Sequence, residues 1–133
     1  MNAEQSLRQV LSEYYAAFST LDIQAVLPYF HQPALLIGPQ GVIALPTPAA
    51  LVPVFGPVME DLRRQGYQRS EFDLQQLKLL DGKSALATGV AIRYARDGKE
   101  LSRAGLTYLL HRTGGTSGRA GAWKFAVMVL HDS

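Results

Sequence analysis

From Ile23 to Met59 the chain carries no Asp, Glu, Lys or Arg, and all seven prolines lie inside that stretch, at positions 28, 33, 39, 46, 48, 53 and 57. No other feature restricts the fold as much. A membrane-spanning helix needs about 20 mostly apolar residues in one regular run. Prolines spaced this closely remove backbone donors and interrupt such a run, so the stretch is not a spanning helix. It must be a set of short elements whose apolar surface is hidden in a core, around a pocket or at a subunit contact.

The rest of the composition narrows the class. With 133 residues the chain reads as a single domain over 1–133. Only 18% of residues are charged, against about 25% in an average soluble chain. With no cysteine, disulfides, thiolate catalysis and Cys-bound metal are excluded. No basic-then-apolar leader opens the sequence, so a soluble, cytoplasmic protein is expected. A net charge of +2 gives no electrostatic case for nucleic acid. Arg63, Arg64 and Arg69 are the one basic cluster, and they suit a helix end, where cations complement the dipole.

Periodicity places the elements. Leu7, Val10, Leu11, Tyr14, Phe18 and Leu21 recur at helical spacing. Asp22 reads as an N-cap for a second, short helix carrying Ile23, Val26, Leu27 and Phe30, which Pro33 stops. Positions 34–37 and 42–45 predict a hairpin about the turn Gly38-Pro39-Gln40-Gly41. Thr47-Pro48 opens a third helix running to about Gln65, with Gly66 as its stop. Pro53 and Gly56-Pro57 are expected to kink or split it. Beyond Tyr67 the period changes to two: Ser70, Phe72 and Leu74 alternate with Arg69, Glu71 and Asp73. Asp81-Gly82 and Asp97-Gly98 are hairpin turns. On the strand between them Leu86, Val90, Ile92 and Tyr94 share one face, opposite Ala85, Ala87, Gly89 and Ala91. A strand over 101–112, a mobile Gly- and Ser-rich loop over 113–121 and a strand over 123–131 complete the chain. Helices segregate from strands, so the fold class is α+β, with the helices on one face of a curved, mostly antiparallel sheet.

This order resembles the nuclear transport factor 2-like superfamily, which includes ketosteroid isomerases, scytalone dehydratase and SnoaL-like polyketide cyclases. The resemblance covers nearly the whole chain. It rests on Tyr14 to Phe18 of the first helix, the Leu21-Asp22 break, Tyr29-Phe30, and Trp123-Lys124-Phe125 of the last strand. It implies a cystatin-like cone whose sheet wraps an internal pocket, and a homodimer paired through the sheet face. It also permits a test of the isomerase chemistry, which needs a carboxylate base and hydrogen-bond donors for the developing oxyanion. Tyr14 falls at the oxyanion tyrosine. The base position falls near Gly38, inside the stretch without carboxylates, and the second donor acid falls at Thr107. Ketosteroid-type isomerisation is therefore not expected.

The candidate site residues follow. Tyr14 is either a donor to a ligand or an aromatic packed on the sheet. His31, His111 and His131 show no metal-binding spacing, and no metal or cofactor is expected. His31 or His111 is a candidate general base, with Tyr14 as donor and Glu71 or Asp73 as carboxylate partner. Tyr14, Phe18, Phe30, Phe55, Met59 and Thr107 are the candidate pocket residues; the sequence leaves open whether they line a cavity or fill a core. Gly114-Gly115 and Gly118 look only loosely like a phosphate loop, without the strand–loop–helix setting.

The first expectation is a homodimeric cone protein that takes an apolar small molecule into its pocket. The second is a SnoaL-like or dehydratase-type enzyme using His and Tyr. The third is a non-catalytic assembly module acting through its sheet face, at Leu86, Val90, Ile92 and Tyr94.

Overall fold

A computed structural model describes residues 2–113 and 121–132. The glycines at 114, 115 and 118 lie outside the described residues. Helix α1, Ala3–Ser19, is closed at its start by a capping box: the Asn2 side chain accepts from the Gln5 amide, and the Gln5 side chain accepts from that of Asn2. Its buried face is Leu7, Leu11, Tyr14, Tyr15 and Phe18. Leu21, at φ 57°, turns the chain. Asp22 then caps α2, Ile23–Val26, by accepting from the Gln24 amide at 3.0 Å.

Helix α2 is shorter than its apolar spacing predicts. Pro28 has no N–H to return to the carbonyl of Gln24, so residues Leu27–Tyr29 tighten into a 3-10 turn. Phe30 already belongs to β1, Phe30–Gly38. Pro33 accordingly lies inside a strand, after a cis peptide, rather than stopping a helix. Strand β2, Gly41–Leu45, pairs back onto β1 from Ala34↔Leu45 to Gly38↔Gly41.

Helix α3, Pro48–Arg64, runs through Pro53 and Pro57 as one helix and is not split there. Both prolines and Ala49, whose carbonyl lacks its donor, face solvent, so water satisfies what the ring removes. The opposite face buries Leu51, Phe55, Met59 and Leu62. Gly66, at φ 77°, ends the helix as expected. Arg63 reaches from its last turn to the Leu21 carbonyl at 2.8 Å and ties α3 to the α1–α2 break.

Four long strands follow: β3, Tyr67–Leu79; β4, Ser84–Ala95; β5, Glu100–Thr113; β6, Ala122–His131. Both predicted turns form, Asp81 accepting from the amides of Lys83 and Ser84, and Asp97 from that of Lys99. The sheet order is β2-β1-β6-β5-β4-β3. Among the described residues only the β1–β6 pair is parallel. Three helices against this curved, unclosed sheet make an α+β cone.

Alternation assigns the two faces of the sheet. Ala85, Ala87, Leu110, Tyr108 and Leu106 face the helices and are buried. Their neighbours Leu86, Thr88, Leu109 and Thr107 point outward. Among the described residues, no helix is long and apolar enough to cross a membrane.

Candidate functional site

The inward face of β4 is made of small residues, and that decides where space remains. Along Ala85, Ala87 and Gly89 the room is taken by large rings. Tyr108 packs on Phe125 at 4.5 Å and on Phe72 at 5.5 Å between centroids. Tyr14 sits amid the rings of Tyr15, Phe18, Tyr29, Phe30, Tyr108 and Phe125, the last at 4.7 Å. Most of these pairs meet edge-to-face, with Tyr108–Phe125 and Tyr14–Phe18 tilted, and together they plug the closed end of the cone. Towards Ala91 the plug stops, and a cavity of about 130 Å³ opens.

Its floor is aromatic: Tyr14, Tyr15 and Phe18 from α1, Phe55 from α3 and Tyr108 from β5. Val54, Val58, Leu36, Leu106, Met128 and Leu130 complete the apolar wall. Leu130 is 37% exposed and stands at the rim. The polar groups in this lining are the three phenols, Ser70 and Arg93. Tyr15 and Tyr108 share a hydrogen bond of 2.6 Å between hydroxyls. The Tyr14 hydroxyl has no partner among the described residues.

Burial pushes all three phenols well above their ordinary range; neighbouring phenols add to this for Tyr14 and Tyr108, and the positive charge of Arg93 opposes it. They stay protonated at any working pH. They are therefore donors, not bases.

A second, larger concavity is an open groove of about 980 Å³ between α1 and β3. Its walls carry Arg8, Ser12, Arg69, Glu71 and Asp73. The charges there are solvent-exposed and partly paired, Arg69 with Glu71 and Arg8 with Glu4, so the groove does not concentrate charge on one ligand. Tyr15 and Ser70 line both spaces and form the wall between them.

The family model for NTF2-like protein (DUF6841) matches residues 3–133. The chain belongs to this NTF2-like family. Solved structures share its fold. An NTF-2-like protein of unknown function from Shewanella oneidensis MR-1 aligns at TM-score 0.77 and 15% identity, over 98% of this chain and 100% of that one. A ketosteroid isomerase-like protein from Erwinia carotovora atroseptica aligns at TM-score 0.68 and 18% identity, over 98% and 96%. A domain of unknown function with a cystatin-like fold from Nostoc punctiforme gives TM-score 0.75 at 14% identity, over 100% and 80%. At these identities the likeness is one of fold. No curated protein matches the chain.

Within this NTF2-like cone the predicted site residues separate. Tyr14, Phe18 and Phe55 meet at the cavity. Phe30 and Met59 are core residues, 4% and 2% exposed, that do not line it. Thr107 is not a pocket residue. Tyr108 faces inward, so Thr107 faces outward, where its hydroxyl meets Thr88 at 3.0 Å and the His131 Nε2 at 2.9 Å.

The histidine reading is also corrected. No histidine lines the cavity among the described residues. His111 does share a face with Thr107 and Leu109, but it is the outer one. There its Nδ1 lies 3.2 Å from the Ser84 hydroxyl. His31 donates to the Pro33 carbonyl at 2.8 Å, and its ring meets that of His111 at 5.9 Å. Glu71 and Asp73 belong to the outer groove. The described lining of the cavity holds neither imidazole nor carboxylate, so the proposed His–Tyr pair is not assembled there. Among the described residues no cluster suits a metal ion.

Arg93, Tyr15, Tyr108 and Ser70 are the polar and phenolic lining groups that sequence reasoning missed. For Arg93 a signal was present. Counting on by two from Ala85, Ala87, Gly89 and Ala91 reaches residue 93 on the same inward face.

Proposed function

We propose that this NTF2-like protein is a pocket protein that takes one small apolar molecule into the interior of its cone. The observation that carries the reading is the 130 Å³ cavity itself, floored by aromatic rings and opening past Leu130. An engineered apolar cavity of about 150 Å³ binds benzene, so a single ring or a short alkyl chain suits this space. The same proposal pairs two copies through the outer sheet face. Leu86, Leu109, Val127 and Leu35 lie directly opposite one another across four strands. A continuous apolar row on a polar-edged face supports a self-complementary contact.

Calorimetric titration with single-ring probes such as toluene and benzyl alcohol tests the pocket. Binding at one site per chain is expected, and Ala91→Phe, which fills the space beside Phe55, should abolish it. A folded protein that binds no such probe overturns the reading.

A further inference from the structure

We infer that the molecule held in this cavity is an anion, a single-ring or short-chain carboxylate, with Arg93 and Tyr14 as its two donors. The inference rests on the pocket reading above and names the chemical class of its ligand. It starts from an imbalance. Of the arginines on this molecule, Arg8, Arg63, Arg64, Arg69 and Arg103 each have a carboxylate partner. Arg93, Arg96 and Arg112 have none among the described residues; Arg112 lies over the Trp123 ring, and of the three only Arg93 lines the cavity, its guanidinium 5.5 Å from the Phe18 ring centroid.

Among the described residues no acid lines the cavity to balance that charge. Leu36, Val54, Phe55 and Val58, which wall the cavity, come from the stretch between Ile23 and Met59 that contains no carboxylate. The remaining lining residues add none. Strand alternation prevents relief from β3, because Ser70 pairs with Arg93 while Glu71 and Asp73 point to the other face. A lone cation beside a half-dry apolar space attracts an anion more strongly than it would in water.

Tyr14 supplies the second donor. It is 3% exposed, it lines the cavity, and its hydroxyl makes no hydrogen bond among the described residues. The hydroxyl is not among the fully enclosed unpartnered atoms, so it is open to the cavity and available to a ligand. Tyr15 and Tyr108 share one hydrogen bond, whereas the Tyr14 hydroxyl makes none among the described residues and is free to donate and to accept. A guanidinium fork and a phenol together suit a carboxylate, whose two oxygens accept charge-assisted bonds. An ammonium ligand would meet repulsion, and a neutral ring would leave both donors unmet.

Calorimetric titration of benzoate, benzyl alcohol and benzylamine into the intact protein, Arg93→Gln, Arg93→Lys and Tyr14→Phe tests this. The three probes share a ring and differ in charge. Benzoate is expected to bind the intact protein at least tenfold more tightly than benzyl alcohol, and benzylamine least. Arg93→Gln should abolish the preference for benzoate over benzyl alcohol, and a cooperative thermal unfolding transition shows separately that the variant is folded. Arg93→Lys should keep part of the preference, and Tyr14→Phe should weaken benzoate severalfold. Equal binding of benzoate and benzyl alcohol to the intact protein overturns the anion assignment while the pocket stands; Arg93 is then a rim residue packed on Phe18 with its head in water. Binding of none of the three overturns the pocket reading and this inference with it.

Discussion

The hydroxyls of Tyr15 and Tyr108 lie 2.6 Å apart in the interior, joining α1 to β5 across 93 positions of chain. Either Tyr→Phe change leaves the other hydroxyl buried beside an apolar ring. Each single variant should lose about 1–3 kcal/mol of stability. The double variant removes both polar atoms and should cost less than the sum of the two. Urea unfolding of the three variants measures the difference. Strict additivity would mean that the two hydroxyls do not interact.

Alkaline titration tests the burial of three phenols. Tyr14, Tyr15 and Tyr108 are raised above their ordinary value, first by burial. The folded state then keeps protons that the unfolded chain releases above about pH 10. Stability from these groups is fully present below that pH and falls as pH rises beyond it, with a slope approaching roughly 4 kcal/mol per pH unit for three groups. Absorbance near 295 nm should show three phenols that ionise only as the protein unfolds. Six tyrosines titrating together while the fold persists would contradict the buried assignment.

Gly89 holds β3 and β4 together at close range. A Cβ at this position would lie 2.3 Å from the Asp73 carbonyl oxygen and 2.8 Å from Cζ of Phe72. The first of these is backbone and cannot swing aside. Gly89→Ala should therefore destabilise by about 1–3 kcal/mol or more, whereas Gly82→Ala, in open space, should cost far less. Thermal unfolding of the pair provides the comparison.

If two copies meet through the outer face, Leu109→Glu should yield monomers in analytical ultracentrifugation. Leu109 sits between Leu86 and Val127 in the apolar row. Ile92, on the face first expected to pair, has Glu71 and Arg103 as its cross-strand neighbours, so Ile92→Glu should weaken association less. An unchanged mass for Leu109→Glu would remove this face from the contact.

Much of the architecture was legible because it depends on local chemistry. The Asp22 cap, the turns at Asp81-Gly82 and Asp97-Gly98, and the period-two run after Tyr67 each express backbone preferences of a few neighbouring residues. The errors arose where a neighbour in space mattered. Pro53 and Pro57 did not split α3, because both lie on its exposed side. Thr107 was assigned to the pocket by family position, and the inward turn of Tyr108 placed it outside. His31 and His111 did meet, but on the far side of the sheet from the cavity.

By itself the sequence determined that residues 23–59 bring no Asp, Glu, Lys or Arg to whatever they enclose. Only the tertiary structure decided what faces that uncharged wall. Curling the sheet around α1 closed one end with tyrosine and phenylalanine rings, left a small space by Ala91, and brought Arg93 to its edge beside Phe18. The reason is physical: composition sets which groups are available, whereas the strand register sets which of them share a face and therefore a dielectric.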